Sequence, residues 1–270
     1  MSPKKKLILI RGGGDLASGV AAVLHRAGFG VVICELPQPL MVRRKVAFAE
    51  AVWDQAMQVE EITAELATDA AECERLLQEG KIPVLVDPGA EIVKRLEFAA
   101  AVDGRMLKKA ITDWDFPELP LIGIGPGFAA GTDCLAVIES NRGPNLAKII
   151  WQGQAEANTK VPGIVHGYGL ERVLYSPCEG VVKAFLKIGD SVKKGEKVAE
   201  VAGQDIYAPF DGVLRGLLRE GISIKAHTKL GDVDPRPDPS LCFRISDKAL
   251  SIGESVLEVI RILAETNSND

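Results

Sequence analysis

An internal repeat near the C-terminus constrains the fold of this chain more than any other feature of the sequence. Residues 176–201 and 208–233 match at a constant offset of 32 residues without a gap. The matching pairs include Pro177 with Pro209, Gly180 with Gly212, Gly189 with Gly221, Lys193 with Lys225 and Val201 with Val233. Each half alternates short β-prone runs with glycine turns, which predicts two similar β units that bury one shared core as a flattened barrel.

The two halves resemble the lipoyl/biotinyl carrier domains. The phrases that carry the resemblance are Pro177-Cys178-Glu179-Gly180-Val181-Val182 and Gly189-Asp190-Ser191-Val192-Lys193-Lys194-Gly195-Glu196-Lys197-Val198. The resemblance implies a barrel-sandwich hybrid domain over residues 170–240, with a hairpin that holds the modified lysine in a carrier. Here that hairpin reads Val201-Ala202-Gly203-Gln204-Asp205, and no lysine occurs between Lys197 and Lys225. Because an amide link needs an amine, we expect neither lipoyl nor biotin, and we expect a docking or structural module.

The first 35 residues predict a nucleotide-binding turn. A short apolar strand precedes three glycines, and a stretch with helical apolar spacing then leads to a second strand at residues 31–35. Gly12-x-Gly14-x-x-Ala17 fits the dinucleotide fingerprint, in which glycines allow a tight turn and let a pyrophosphate approach a helix N-terminus. Glu35 stands 21 residues after Gly14, where an acid that binds ribose hydroxyls is expected. The sequence predicts a Rossmann-like α/β domain over residues 1–165, and a tight turn without a ligand is the alternative.

The candidate cofactor-binding residues lie in two glycine-rich loops. The first set is Gly12, Gly13, Gly14, Asp15, Leu16, Ala17, Gly19 and Glu35. The second set, which follows another apolar strand, is Gly125, Gly127, Phe128 and Gly131. The backbone of the second loop could cradle an anion, with a plain Gly/Pro turn as the equal alternative. Asp15 suits a helix N-cap, or it holds a polar group of the ligand or a metal-bound phosphate.

Three further segments complete the organisation predicted from the sequence. The basic run Arg43-Arg44-Lys45 could pair with anionic groups beside the phosphate site, or it starts a solvated helix. Asp87 follows an apolar run, at the end of a strand where open α/β sheets place ligand contacts. Residues 153–169 are rich in Gly, Pro and Asn and predict the domain boundary. Helical apolar spacing predicts a C-terminal helix over 247–265 that packs back on the first domain.

Composition limits the classes of partner and cofactor. The net charge of −5 does not favour a nucleic-acid backbone as partner. No apolar run reaches the roughly 18–20 residues that a membrane helix needs. The five cysteines form no C-x-x-C pair, and the three histidines lie far apart, so no metal site is expected. These observations predict a soluble, cytoplasmic protein without a nucleic-acid or membrane partner.

Four phrases along the chain together resemble the YqeB-type accessory family of selenium-dependent molybdenum hydroxylase systems. They are Arg11-Gly12-Gly13-Gly14-Asp15-Leu16-Ala17-Ser18-Gly19, Gly125-Pro126-Gly127-Phe128-Ala129-Ala130-Gly131, Tyr168-Gly169-Leu170-Glu171-Arg172-Val173 and Gly231-Asp232-Val233-Asp234-Pro235-Arg236. The N-terminal part is more distantly similar to the XdhC/CoxI maturation factors, which handle molybdenum cofactor.

The resemblance implies a maturation protein that binds an NAD(P)-type dinucleotide or molybdopterin dinucleotide. Its expected partners are a molybdenum hydroxylase client or other cofactor-maturation proteins, and a homo-oligomer is left open. No catalytic residue is assigned, because no nucleophile–base pair stands out in the sequence. The alternatives are an NAD(P)-dependent oxidoreductase and a non-catalytic scaffold with an empty site.

Overall fold

The computed structural model describes residues 6–158 and 163–266 and divides the chain into two compact units. Unit 1 comprises Met1–Pro39, Ala47–Asn158 and Ile245–Asp270, and unit 2 comprises Leu40–Val46 and Thr159–Arg244. Part of the domain boundary predicted at residues 153–169 lies outside the described residues, since 159–162 are not among them. The sequence did not predict that a short segment near the N-terminus, Leu40–Val46, belongs to the second unit.

Unit 1 is built on a nine-stranded sheet with four helices. Its strands are β1 (Leu7–Arg11), β2 (Gly30–Glu35), β3 (Ala56–Val59), β4 (Ile62–Ala67), β5 (Ile82–Val86), β6 (Ala100–Asp103), β7 (Leu121–Ile124), β9 (Ala136–Ile138) and β10 (Ile149–Ile150), while β8 (Ala129–Ala130) and β11 (Gly153–Gln154) form a separate pair. Its helices are α1 (Asp15–Arg26), α2 (Ala51–Asp54), α3 (Ala70–Gln78) and α4 (Asp247–Thr266). The sheet order is β10-β9-β7-β6-β1-β2-β5-β4-β3.

The strand–helix–strand start predicted from the sequence is confirmed. Strands β1 and β2 pair in parallel, with Arg11 opposite Cys34 at their carboxyl ends. Helix α1 runs between them, and Gly28 follows its end with φ +92°, where the backbone turns into β2. The local apolar pattern is sufficient here because a strand and an adjacent crossover helix bury each other's apolar faces.

The core of unit 1 lies on both faces of the sheet. Leu9 and Val32 belong to a buried cluster that also contains Leu76 of α3 and Phe128 of the loop after β7. Successive residues of a strand face opposite sides, so the equally buried Ile8 faces away from this cluster. Helices are therefore needed on each side, and α1, α3 and α4 supply much of that cover.

Helix α4 packs against α1 through small residues. A Cβ at Gly19 would lie 2.5 Å from the Cβ of Ala249, and a Cβ at Gly253 would lie 2.7 Å from a methyl carbon of Val23. The backbones of the two helices thus approach closely at these positions. None of the helices in the described part of the chain is long and apolar enough to cross a bilayer.

Unit 2 contains two four-stranded antiparallel sheets. Its strands are β12 (Val173–Tyr175), β13 (Gly180–Ala184), β14 (Ser191–Val192), β15 (Lys197–Val201), β16 (Gln204–Tyr207), β17 (Gly212–Leu217), β18 (Ser223–Ile224) and β19 (Lys229–Asp234). One sheet has the order β12-β19-β17-β14 and the other β16-β15-β13-β18. Strands β13, β14 and β15 of the first half correspond to β17, β18 and β19 of the second half at the offset of 32 residues, and each sheet takes strands from both halves. The repeat predicted from the sequence is thus confirmed in the strands.

The fold class predicted from the sequence, a Rossmann-like domain plus a lipoyl/biotinyl-like barrel-sandwich hybrid, is wrong. The structure is mixed α/β with several sheets. In unit 1, antiparallel strands close both ends of the sheet, and the connections from β5 to β6, β6 to β7 and β7 to β9 contain no α-helix, unlike a doubly wound fold. Unit 2 also includes Leu40–Val46, where the carbonyl of Val42 accepts from the N–H of Leu217 at 2.8 Å.

Candidate functional site

The three glycines after β1 have three different environments. Gly12 has φ +87°, and its N–H donates to the carbonyl of Cys34 at 2.8 Å. Gly13 is covered by the chain, since a Cβ there would lie 2.9 Å from the backbone nitrogen of Ala49. A Cβ at Gly14 would meet nothing within 4 Å, and its φ of −70° suits any residue. The fold therefore explains Gly12 and Gly13, whereas the space beside Gly14 is open.

Gly14, and not Asp15, occupies the N-cap position of α1. No side chain makes a capping hydrogen bond there, and Asp15 is the first helical residue. The prediction of an Asp15 cap is therefore corrected. The first N–H groups of an α-helix have no acceptor within the helix, and they carry the positive end of its dipole. This end of α1 offers donors to an anion.

Glu35 lies directly beside the turn. One of its carboxylate oxygens, Oε2, accepts from the N–H of Gly13 at 2.7 Å, and Oε1 accepts from the N–H of Leu36 at 2.7 Å. These bonds aim the carboxylate at the glycine turn from the end of β2. A nucleotide whose phosphate sits at Gly14 would place its ribose near this acid.

The backbone of Phe48 and Ala49, which the sequence analysis did not identify, holds the glycine turn in place through hydrogen bonds. Ser18 Oγ donates to the carbonyl of Gly13 at 2.9 Å and accepts from the N–H of Phe48 at 2.8 Å. The N–H of Ala49 donates to the same Gly13 carbonyl at 2.9 Å. The signal in the sequence was Ser18, a small polar residue within the apolar face of α1. Its partner Phe48 lies 30 residues away, so the sequence does not show the contact.

Two other residues of the fingerprint serve packing. Ala17 is buried, and a Cβ at Gly104 would lie 2.7 Å from its methyl group, so α1 and the end of β6 approach closely. Gly19 lies against Ala249 of α4. Leu16 is half-buried in the first turn of α1. Among the predicted residues of this loop, the structure brings Gly14, Asp15 and Glu35 together around the open end of the helix.

An arginine–aspartate network at the carboxyl edge of the sheet was missed by sequence reasoning. Arg11, whose side chain is 2% exposed, lies 3.3 Å from Asp103 and 3.0 Å from Asp113. Arg105 contacts the same two carboxylates at 2.6 Å each. Hydrogen bonds from Arg105 hold the pKa of Asp113 well below its usual range. The signal was the placement of Arg11 and Asp103 at adjacent strand ends, which requires the sheet order to be known.

The network fixes the loop that follows β6. The guanidinium of Arg11 also lies 5.5 Å from the ring centre of Trp114, and it donates to the carbonyl of Pro88 at 3.2 Å. The Cγ of Arg105 would lie 3.2 Å from a Cβ at Gly12. Arg105 therefore packs against Gly12 of the glycine turn, and the network holds the loop after β6 in place.

Several N–H groups of the second glycine-rich loop already have acceptors within the fold. Those of Gly131 and Gly125 donate to the carbonyls of Cys134 and Ile138, and that of Ala129 donates to the carboxylate of Asp133. Phe128 is buried beneath Gly123, and a Cβ at Gly127 would lie 2.5 Å from the side chain of Leu107. Packing thus accounts for Gly127 and Phe128, whereas Gly125 and Gly131 have positive φ values of +83° and +81°.

Two other candidates also have structural roles. The carboxylate of Asp87 accepts from the N–H groups of Glu91 and Ile92 at 3.0 and 2.9 Å, so it caps a 3-10 turn. Within unit 2, Arg43 donates to the carbonyls of Leu241 and Arg244 at 3.2 and 3.1 Å, and Arg44 donates to Leu217 at 2.8 Å. Arg43 and Arg44 thus have structural roles within unit 2, while a short 3-10 helix begins at Arg44 and Lys45 is exposed.

Metal chemistry has no evident ligand set. Across residues 6–158 and 163–266, no group of three or more His, Cys, Asp or Glu side chains is arranged to hold a metal ion. The buried thiols are also poorly suited as ligands or nucleophiles, because burial raises the pKa of Cys34 well above its usual value and that of Cys73 to about 12.

Comparisons with solved structures give weak likenesses. They include the ectoine utilization protein EutE (DoeB) from Ruegeria pomeroyi, 11% identical with a TM-score of 0.24 over 84% of this chain and 56% of that chain. An aspartoacylase family protein from Mesorhizobium loti is 14% identical, with a TM-score of 0.28 over 86% of each chain. A succinylglutamate desuccinylase from Silicibacter sp. TM1040 is 14% identical, with a TM-score of 0.25 over 85% of this chain and 84% of that chain.

At such TM-scores these likenesses carry no argument about fold or activity. No family model matches the chain.

Comparison with curated sequences gives a clear relationship. The chain is 43% identical over 259 residues to a protein named "Uncharacterized protein YqeB" from Escherichia coli (strain K12). The alignment covers 96% of this chain and 48% of that protein, so the chain spans about half the length of its relative. None of the comparisons links the chain to molybdenum or selenium. Over nearly its whole length, the chain is therefore similar to one part of YqeB.

Proposed function

We propose that this protein binds a pyrophosphate-bearing nucleotide at the turn from Gly12 to Ala17 and acts as an accessory protein in the maturation of a molybdenum hydroxylase. The observation that carries the binding proposal is Gly14. It has an ordinary φ and open space where a side chain would project. A glycine at this N-cap position leaves room for a ligand to approach the backbone at the start of α1.

The end of α1 suits a phosphate. The N-cap position has no side-chain acceptor, so the helix N-terminus keeps donors and a positive dipole end for an anion. The N–H of Gly13 is already bonded to Glu35, which leaves the donors from Gly14 onward for the phosphate. The carboxylate of Glu35 is then close enough to accept from ribose hydroxyls.

The site binds rather than catalyses. The neighbouring ionisable groups are engaged in structural pairs: Arg11 and Arg105 with Asp103 and Asp113. A rigid turn, a braced loop and an acid for the ribose are what a protein needs to hold a nucleotide and release it to a partner. The nucleotide-bearing form of molybdenum cofactor contains such a pyrophosphate, and the YqeB-type resemblance supplies the class of client.

The binding proposal is tested by Gly14→Val with ADP as the probe in calorimetry. A valine methyl there would occupy the space beside the helix end, so we expect ADP affinity to fall by about tenfold or more, equivalent to about 1.4 kcal/mol. The N-cap change costs about 1 kcal/mol of stability, so the fold should persist. Gly143→Val is the matched control, because a Cβ at Gly143 also meets nothing within 4 Å. If Gly14→Val binds ADP as tightly as wild type, the site lies elsewhere.

The accessory role is tested in cells that lack this chain. We expect the hydroxylase polypeptide to be made at a normal level but with low activity and low molybdenum content. Normal hydroxylase activity and normal metal content would contradict the maturation role. Turnover of NAD(P)H by the purified protein would instead support an oxidoreductase. Mass spectrometry of the ligand released from gently purified protein separates a pterin from an NAD-type dinucleotide.

A further inference from the structure

Unit 2 contains a cluster of four cations around two carboxylates. The cluster is Arg172, Arg215, Lys229, Asp232, Asp234 and Arg236, named here the Arg172 cluster. Both carboxylates are buried, and the side chains of Arg172 and Arg215 are only 8% and 15% exposed. A guanidinium in such a poorly solvated place is costly where its N–H groups lack acceptors.

The carboxylates are already committed. Asp234 accepts from Arg236 Nη2 at 2.6 Å and Nε at 2.9 Å, and from Arg215 Nη1 at 3.2 Å. Asp232 lies 3.6 Å from Arg172 and 3.4 Å from Lys229, which are long distances for charge-assisted hydrogen bonds. Asp234 is thus saturated, and Asp232 only partly serves Arg172.

Several buried arginine donors have no partner. Nε and Nη1 of Arg172 and Nε of Arg215 are buried and make no hydrogen bond. The Arg172 side chain is 8% exposed, so bulk water does not serve these N–H groups. Arg215 is the extra residue of a β-bulge between Leu214 and Gly216, which turns its side chain toward Asp234. Burial lowers the pKa of Arg215, with Arg43 as a further cation nearby. Orphaned buried donors of this kind require an explanation, and an ion supplies one.

We propose that the Arg172 cluster binds a small tetrahedral oxyanion, phosphate or sulfate. A planar guanidinium offers pairs of N–H groups that match two oxygens of such an ion. The unpartnered nitrogens are inaccessible to solvent, so a whole nucleotide would not reach them. Arg236 and Lys229, whose side chains are 32% and 43% exposed, form the side of the cluster open to water.

The proposal accounts for two phrases that the nucleotide site does not use. Arg172 lies in the phrase Tyr168–Val173, directly before β12, and Asp232 to Arg236 make up most of the phrase Gly231–Arg236. The two phrases are about sixty residues apart in sequence, and pairing of β12 with β19 places Val173 opposite Asp232. The strand pairing therefore brings the two phrases to one place within unit 2.

The test is thermal unfolding of the full chain in chloride, phosphate and sulfate at constant ionic strength. The Gly14→Val background removes the nucleotide turn as a second anion site. We expect phosphate and sulfate to raise the unfolding temperature by about 5 °C or more at saturation, because an ion that binds only the folded state stabilises it. AMP at the same concentration should give no such rise.

Two variants assign the effect to the cluster. Arg236→Gln, at the open side, should lose most of the rise while remaining folded. Arg172→Met, of similar volume, leaves the buried Asp232 with one partner fewer, so it should unfold in chloride at a lower temperature than wild type and should not respond to phosphate. Arg75→Met is the control, since Arg75 lies on the exposed face of α3 and should leave the response intact.

Three outcomes would overturn the proposal. They are an unfolding temperature that is the same in phosphate and chloride, a phosphate response that survives Arg236→Gln and Arg172→Met, and a response to AMP equal to that of phosphate. The first would mean that buried water serves the arginines. Failure of ADP binding in the Gly14 experiment would leave this result unaffected, because the two sites use different residues.

Discussion

Substitution of Gly19 by alanine separates the intrinsic preference of a helix from the packing of two helices. Gly19 lies within α1, where alanine is favoured over glycine by about 1 kcal/mol. In the structure, however, a Cβ at this position would lie 2.5 Å from the Cβ of Ala249 and 2.9 Å from its carbonyl carbon. Helix preference and packing therefore predict opposite signs for the same change.

The magnitude follows from the distances. Carbon atoms in contact prefer separations of about 3.5–4.0 Å, so α1 and α4 would have to move apart by about 1 Å. Added methyl groups in a packed core cost about 1–3 kcal/mol. Because the atoms opposed to Gly19 include backbone, the upper end applies, and about 3 kcal/mol less the helix gain leaves about 2 kcal/mol of net destabilisation.

Tryptophan fluorescence during urea and thermal unfolding measures this effect in unit 1 alone, because Trp53, Trp114 and Trp151 all belong to that unit. We expect Gly19→Ala to lower the unfolding temperature by about 4–8 °C. Adding Ala249→Gly removes the contact at 2.5 Å but leaves those with the backbone, so it should restore only part of the loss. A Gly19→Ala protein as stable as wild type, or more stable, would refute the close α1–α4 approach.

Three further measurements test other parts of the structure. Because Arg105 lowers the pKa of Asp113, the pair stabilises the fold above the unfolded pKa of about 3.9 and loses that contribution as the pH falls further. Asp113→Asn should therefore lose stability less steeply than wild type between about pH 4 and 2. Equal slopes of stability against pH in the two proteins would contradict this. Burial raises the pKa of Cys34, so a thiol reagent at about pH 8 should label it only on unfolding, and rapid native labelling would contradict its burial. The hairpin turn at Ala202–Gly203 offers no lysine, so the intact mass after co-expression with lipoyl and biotin ligases should equal that of the polypeptide; one added lipoyl or biotinyl group would contradict it.

Parts of the site could be read from the sequence because their determinants are local. The run from β1 through the glycines to α1 and β2 has its own apolar pattern, and Glu35 is placed by the register of two adjacent strands. The sequence alone could not show that Gly19 and Ala17 serve packing whereas Gly14 faces open space. Their neighbours, Ala249 and Gly104, are far along the chain, so only packing shows which glycine is free to meet a ligand.

The fold class failed at the sequence level for the same reason. The connections after β5 carry no helical signal, and nothing in residues 40–46 indicates that they join a unit formed 120 residues later. The resemblance, which was based on short phrases, identified the repeat correctly. The whole domain types that it implied were wrong.

The sequence by itself determined the repeat of two β halves, the strand–turn–helix–strand start, the lack of a lysine in the hairpin and the similarity to YqeB. Each depends on identity or on neighbours a few residues apart. Only the tertiary structure decided that Gly14 is the open glycine, that Arg11 and Arg105 share two aspartates, and that Arg172 lies beside Asp232 with unpartnered donors. Those arrangements depend on distances between residues brought together by sheet pairing, and hydrophobic periodicity along the chain contains no information about such distances.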